Sequence, residues 1–370
     1  MFGKILKVSV FILIFLISIG YGILVGKYEF FPYNQLKKLQ DNFTPEERMP
    51  ELNKIFVDSL ISVSVENIDS IRHLTLKIIF GRQTLTASMP DSVYEIQDVA
   101  YSDMENLKLL EKFVINQQYN INSIGYIFHP ISSNGQLLIY HQGHKGDFLY
   151  GKKTIKYFLE KGFTVYAFSM PLLGKNKRPN ITLDKIGIIP MHSHEKFKYL
   201  EYPLSYFIFP VIAMINYAEK ENFENIIMVG ISGGGWTTTL IAAIDTRINY
   251  SYSVAGGYPI FIRLAKPKKN YGDWEESYPE LFNRVNYLDL YILSSVGNKR
   301  MHTQVLNKFD PCCFDGEFFK LYKDIVVKRV EQHNHGAFVF ISDSLNTTHS
   351  ISDFTLEKIY ERITMISKQE

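Results

Sequence analysis

Ile226-Ile227-Met228-Val229-Gly230-Ile231-Ser232-Gly233-Gly234 is the stretch on which the fold turns. The apolar residues 226–229 read as a short buried strand. A G-x-S-x-G pattern follows at once, and the run Trp236–Asp245 reads as a helix. A serine at that spacing sits on a sharp strand-to-helix turn, where glycines flank it because a side chain would clash. Its oxygen then stands above the sheet, and the Gly233 amide at the helix start can donate to an oxyanion. A P-loop is disfavoured, since no Gly-Lys-Ser or Gly-Lys-Thr follows.

Outward from this turn the chain alternates strands and helices. Gln136–Tyr140, Thr164–Ser169, Tyr250–Ala255, Gln304–Lys308 and Gly336–Ile341 read as strands. Lys153–Glu160 with Gly162 as its stop, Tyr202–Lys220, and Asp353–Ser367 capped by Ser352 read as helices. Such repetition implies an α/β fold, with a mainly parallel central sheet and helices on both faces. Residues 60–130, with LTLKIIF (74–80) and IGYIFHP (124–130), read as antiparallel strands at the N-terminal edge of that sheet. Residues 258–300 interrupt the rhythm and read as a lid insertion. Trp274 there can stack on a sugar, cover an acyl chain or fill the lid's own small core.

A serine hydroxyl is a weak nucleophile and needs a base, which in turn needs a carboxylate to hold its tautomer. After a turn of this kind the expected chain order is serine, acid, histidine. Asp310, in Phe309-Asp310-Pro311, follows one strand, and His349, in Thr348-His349-Ser350, follows the next. Asp315 and Asp343 are rival acids. His333 and His335 are rival bases, but they precede the last strand. From about residue 60 to its end the chain resembles the α/β-hydrolase superfamily, most of all its serine esterase and acyl-hydrolase members. The resemblance implies a triad of Ser232, Asp310 and His349. It also implies a second oxyanion donor from the loop after the first parallel strand, His141-Gln142-Gly143-His144-Lys145-Gly146-Asp147. There the matching amide is that of His144, although Gln142 stands where the family often has histidine.

Other histidines qualify as pocket residues: His141, His192 and His194, beside Trp274. His192-Ser193-His194 has a spacing that can chelate zinc on a strand, but no sequence pattern supplies a third ligand, so no metal or cofactor is assigned. The activity implied is cleavage of a small-molecule or glycan carboxylic ester through an acyl-enzyme, with deacetylation of a surface glycan as one form of it. The alternatives are a non-catalytic binding protein of the same fold, a peptidase, and a metal-assisted hydrolase.

Composition agrees. The chain has 370 residues, 46% hydrophobic and 21% charged, which excludes a disordered or fibrous protein. Lys+Arg (40) and Asp+Glu (38) nearly cancel, and no long basic run is present, so no nucleic-acid partner is expected. The only cysteines, Cys312 and Cys313, are adjacent; they exclude a disulfide framework and read as buried thiols. Val8–Gly26 carries no charge and is long enough to cross about 30 Å of hydrocarbon at about 1.5 Å per residue. Lys4 and Lys7 precede it. Residues 1–27 therefore read as a transmembrane signal-anchor in the lipid bilayer, 28–59 as a stalk and 60–370 as the hydrolase domain. The domain would be extracytoplasmic, or secreted if the segment is cleaved. Asn42, Asn180, Asn249 and Asn346 fit the glycosylation pattern.

Overall fold

In the computed structural model, residues 2–28, 31, 32, 35, 54–265 and 272–367 are described. Among them, nine strands form one sheet in the order β1-β2-β3-β5-β4-β8-β9-β10-β11. These are β1 (Ser92–Glu95), β2 (Leu107–Asn116), β3 (Asn122–Pro130), β4 (Gln136–His141), β5 (Thr164–Phe168), β8 (Asn225–Ile231), β9 (Tyr250–Val254), β10 (Met301–Asn307) and β11 (Ala337–Asp343). The remaining two, β6 (Asn180–Leu183) and β7 (Gly187–Pro190), make a separate hairpin. Pairing is antiparallel from β1 to β5 and parallel from β5 through β4, β8, β9 and β10 to β11.

Every residue of β4, β5, β9 and β10 is buried, so both faces of the sheet are covered. The helices fall into two groups. Helix Lys152–Glu160 meets Asp353–Ser367 through Tyr157 and Tyr360, whose rings lie 6.3 Å apart. Helix Ser205–Ala218 meets Gly233–Ile244 through Phe207 and Trp236, edge to face at 5.7 Å. Trp236 is thereby a packing residue. Ser352 does cap the last helix, its hydroxyl accepting the Thr355 amide at 3.0 Å.

After β4 the chain builds β5 on one side and then returns to place β8 on the other. The loops leaving β4 and β8 therefore part in opposite directions and open a crevice at the carboxyl ends of the strands, the usual ligand position in such sheets.

Several expectations need correction. LTLKIIF belongs to helix Ile68–Phe80, not to a strand. Arg72, Thr75, Leu76 and Ile79 are its buried positions, the spacing of one helical face, and Gly81 at φ 70° ends it. Cys312 and Cys313 are joined in a disulfide rather than buried as thiols; Cys312 is exposed and Cys313 half-buried. Both sit in the surface turn after β10, where each amide donates to Asp310 Oδ1, and this tight turn brings the neighbouring sulfurs together. Within residues 258–300, helix Tyr287–Ser295 is buried along its whole length and belongs to the body of the domain, which narrows the lid reading to the residues before it. Asn346 is buried and its side chain donates to the Ser350 carbonyl at 2.8 Å, so it is a structural residue rather than a surface acceptor.

At the amino terminus a helix runs Phe2–Tyr28. Among the described residues no helix is long and apolar enough to cross a membrane. Most of the stalk, 28–59, lies outside the described residues.

Candidate active site

Strand β8 ends at Ile231 and the next helix begins directly at Gly233, earlier than the sequence suggests. Ser232 makes the turn between them with φ 57° and ψ −127°. For a residue with a side chain this backbone costs about 1–3 kcal/mol and persists only where its surroundings enforce it. They do so here. The Ser232 amide donates to the Val254 carbonyl on β9 at 2.9 Å, and the Ser232 carbonyl accepts the Trp236 amide at 3.0 Å. A Cβ on Gly230 would lie 2.1 Å from the Gly234 carbonyl oxygen, and one on Gly234 would lie 2.1 Å from that of His141. These are the clashes the pattern predicts. The Gly233 amide, first in its helix, has no intrahelical acceptor and is available to an anion.

The turn after β10 carries Asp310 and the loop after β11 carries His349. Asp310 is fully buried, and its Oδ2 takes a hydrogen bond from His349 Nδ1 at 2.7 Å. Its Oδ1 accepts the amides of Cys312 at 2.8 Å and Cys313 at 3.2 Å, so each carboxylate oxygen has a separate task. His349 Nε2 is buried and has no hydrogen-bond partner among the described residues; no bond joins it to Ser232. The rival Asp343 is committed elsewhere. Its Oδ1 holds the amides of Leu345 at 3.0 Å and Asn346 at 2.9 Å, and its Oδ2 holds the hydroxyls of Ser352 and Thr355. Asp343 thus shapes the loop that bears His349 without touching the ring. Asp315 does not pair with His349 either. His333 and His335 precede β11, at the end of that strand away from His349.

The loop after β4 lies directly on the turn: a Cβ on Gly143 would be 2.7 Å from Ser232 Cβ and 3.1 Å from the Gly233 nitrogen. The next residue, His144, packs its ring on Gly233, where a Cβ would meet Cε1 at 2.4 Å. A cleft of about 520 Å³ opens here, lined by His144, His192, His194, Asp273 and Trp274 among others. Its roof, built by Gly272, Asp273 and Trp274, runs on into Glu275, a fully buried carboxylate behind the lining that sequence reading did not single out. Glu275 Oε1 lies 2.7 Å from His144 Nε2 and 2.8 Å from His194 Nδ1. Burial opposes charge on the His144 ring, but the hydrogen bond and charge of Glu275, with Glu276 and Asp273 behind, push its pKa up to about 9. Burial likewise opposes charge on Glu275, yet His194 and His144 outweigh it and hold the carboxyl down to about 2. Glu276 is instead paired with the buried Arg263 at 2.9 Å.

The histidines expected to line the pocket divide. His192 and His194 both do, the first exposed and the second buried. His141 does not. It is buried beneath the turn, stacked on Phe168 at 5.9 Å, with Nδ1 against the Gln142 carbonyl at 2.9 Å. Burial lowers its pKa to about 4, so it stays neutral and structural.

No protein-family model and no curated protein matches this sequence. Solved structures do resemble it. An acetyl xylan esterase from Paenibacillus sp. R4 is 13% identical, with TM-score 0.52, over 84% of this chain and 98% of that one. A candidate acetyl xylan esterase from Bacteroides fragilis NCTC 9343 is 14% identical, with TM-score 0.54, over 76% of each chain. Acetyl xylan esterase 1 from Thermoanaerobacterium sp. JW/SL YS485 is 12% identical, with TM-score 0.50, over 80% of this chain and 92% of that one. At such identities the likeness speaks for architecture alone. Together with the sheet order and the serine turn at its switch point, it establishes that the chain has the α/β-hydrolase fold.

Proposed function

We propose that the protein is a carboxylic ester hydrolase working through an acyl-enzyme, with Ser232 as nucleophile, His349 as base and Asp310 as the acid that holds it. The observation that carries this reading is the 2.7 Å bond from His349 Nδ1 to the buried Asp310, made by the two loops that follow the serine turn in chain order. With Nδ1–H given to Asp310, Nε2 bears a lone pair and is the atom that can take the Ser232 proton. Ser232 Oγ attacks the ester carbonyl. The amides of Gly233 and His144 stabilise the oxyanion, each worth about 3–4 kcal/mol. His349 returns the proton to the leaving alcohol, and water, deprotonated by the same ring, releases the acid and frees the serine. The contact between His349 and Ser232 forms as substrate binds, as such catalytic bonds often do.

The acyl group proposed is small, and the alcohol a carbohydrate: the similar structures named above are called acetyl xylan esterases, and a cleft lined by Trp274 beside His192 and His194 suits a sugar. The test is a panel of aryl esters from acetate to palmitate, with acetylated xylo-oligosaccharides, alongside labelling by a fluorophosphonate probe. Acetyl esters should turn over at least about tenfold faster in kcat/KM than octanoyl or longer ones, a preference of about 1.4 kcal/mol. A folded protein that neither turns over an ester nor takes the label would leave the binding-protein alternative standing.

We also infer a membrane tether through Phe2–Tyr28, with the hydrolase domain on the far side from Lys4 and Lys7. Its support is the apolar surface of that helix, on which Phe11, Ile17 and Ile23 are 72%, 62% and 63% exposed. The full chain should stay in the membrane pellet through an alkaline carbonate wash, whereas a chain lacking residues 1–27 should be released. Release of the full chain would end this reading.

A further inference from the structure

We propose that the roof of the cleft is a binding site for one divalent transition-metal ion of the zinc class, held by His144 Nε2, His194 Nδ1 and Glu275. The inference does not depend on the hydrolase reading.

It starts from a count of hydrogens. His194 Nε2 lies 2.8 Å from the Pro171 carbonyl oxygen, which can only accept, so that nitrogen carries the hydrogen. In the neutral ring Nδ1 is then a bare lone pair, yet it faces Glu275 Oε1 at 2.8 Å. His144 repeats the pattern. Its Nδ1 lies 3.2 Å from Asp273 Oδ2 and its Nε2 lies 2.7 Å from the same Glu275 oxygen. A neutral imidazole has one N–H, but each ring here faces two acceptors. Either both rings hold an extra proton with their centroids only 5.0 Å apart, or a cation stands where the two nitrogens and the carboxylate converge.

Glu275 itself favours the cation. Oε1 receives both rings, while Oε2 is buried with no partner among the described residues, an arrangement costly for a carboxylate. An ion gives that oxygen a ligand's role. The outer contact of His194 is also that of a metal site: its Nε2–H on the Pro171 carbonyl fixes the tautomer that presents Nδ1 inward, while Asp273 Oδ2 stands 3.2 Å from His144 Nδ1 on the outer side of that ring. Glu276, the other carboxylate nearby, is held by Arg263 and is not counted as a ligand. Three protein ligands leave a fourth position for water or another small ligand. Two imidazoles and one carboxylate suit zinc, cobalt or nickel better than calcium or magnesium, which prefer oxygen throughout. Metal–ligand distances of about 2.0–2.1 Å require the three atoms to part by roughly half an ångström from hydrogen-bond contact.

The experiment uses the full chain, stripped with a chelator and titrated with zinc chloride by calorimetry, with cobalt chloride as a spectroscopic reporter. One zinc per chain at micromolar affinity or tighter, and the visible absorption of four-coordinate cobalt, are expected. Glu275→Gln and His194→Ala should each weaken zinc binding at least a hundredfold, and His192→Ala, exposed in the same cleft, should leave it unchanged. Circular dichroism reports whether each variant is folded, and the wild-type titration stands whatever the variants do. Absence of wild-type binding at 100 μM zinc, roughly 5.5 kcal/mol of affinity, would overturn the proposal. So would zinc binding that survives both substitutions undiminished, which would put the ion elsewhere in the chain.

Discussion

Replacing Ser232 by alanine is expected to lower kcat for an acetyl ester by on the order of 10⁵ to 10⁶, a loss of about 7–8 kcal/mol in transition-state stabilisation. The size follows from chemistry that has no substitute. Without Oγ no acyl-enzyme forms, and His349 can only direct water at a carbonyl positioned for another attacker. What survives comes from the amides at the helix start and from binding, so KM should change little. Alanine keeps the Cβ, so the backbone at φ 57° bears the same cost and the fold should persist. Steady-state kinetics with an aryl acetate, on protein shown folded by circular dichroism, measures the effect. Activity above one percent of wild type would remove Ser232 from the role given to it.

Asp310→Asn should cost about 10⁴ in kcat, about 5 kcal/mol, with the fold intact. Here the hydrogen bonds dictate the outcome. The amides of Cys312 and Cys313 donate to Oδ1, so an asparagine must turn its oxygen toward them. Its NH₂ group is then forced onto His349 Nδ1, which has to accept. The ring's own hydrogen moves to Nε2, the atom that should receive the serine proton, and the base is lost. Asp315→Asn, on the same turn but not paired with His349, should stay within about threefold of wild type. The reverse ranking in a side-by-side assay would reassign the acid. Asp343→Asn should act through stability instead, because its partners are the amides and hydroxyls of the His349 loop.

The serine turn was legible because its constraint is local and steric: glycine is demanded wherever a Cβ would strike nearby backbone, as at Gly230, where it would strike Gly234 four residues on. Asp310 and His349 were legible through chain order, each in the turn after a strand. The cleft roof was not. Glu275 meets His144 and His194 across more than 80 residues of sequence, and nothing in Gly272-Asp273-Trp274-Glu275 announces a buried carboxylate. The His192-Ser193-His194 spacing pointed the wrong way, since it pairs neighbours as if on a strand. The segment after Ser193 is a 3₁₀ turn instead, and it sends His194 inward while His192 stays outside. LTLKIIF misled for a related reason: its β-branched residues suit a strand, but its buried positions follow the helical period.

The pairing of Asp310 with His349 has a consequence for biosynthesis. The Ser232 turn is complete once helix Gly233–Ile244 and β9 exist, but Asp310 and His349, its partners in the proposed mechanism, are encoded far downstream. At translation rates of roughly 5–20 residues per second, His349 leaves the ribosome on the order of ten seconds after Ser232. On the proposed mechanism, a nascent or prematurely terminated polypeptide would therefore expose Ser232 without His349, and reactivity would be withheld until almost the whole message had been read.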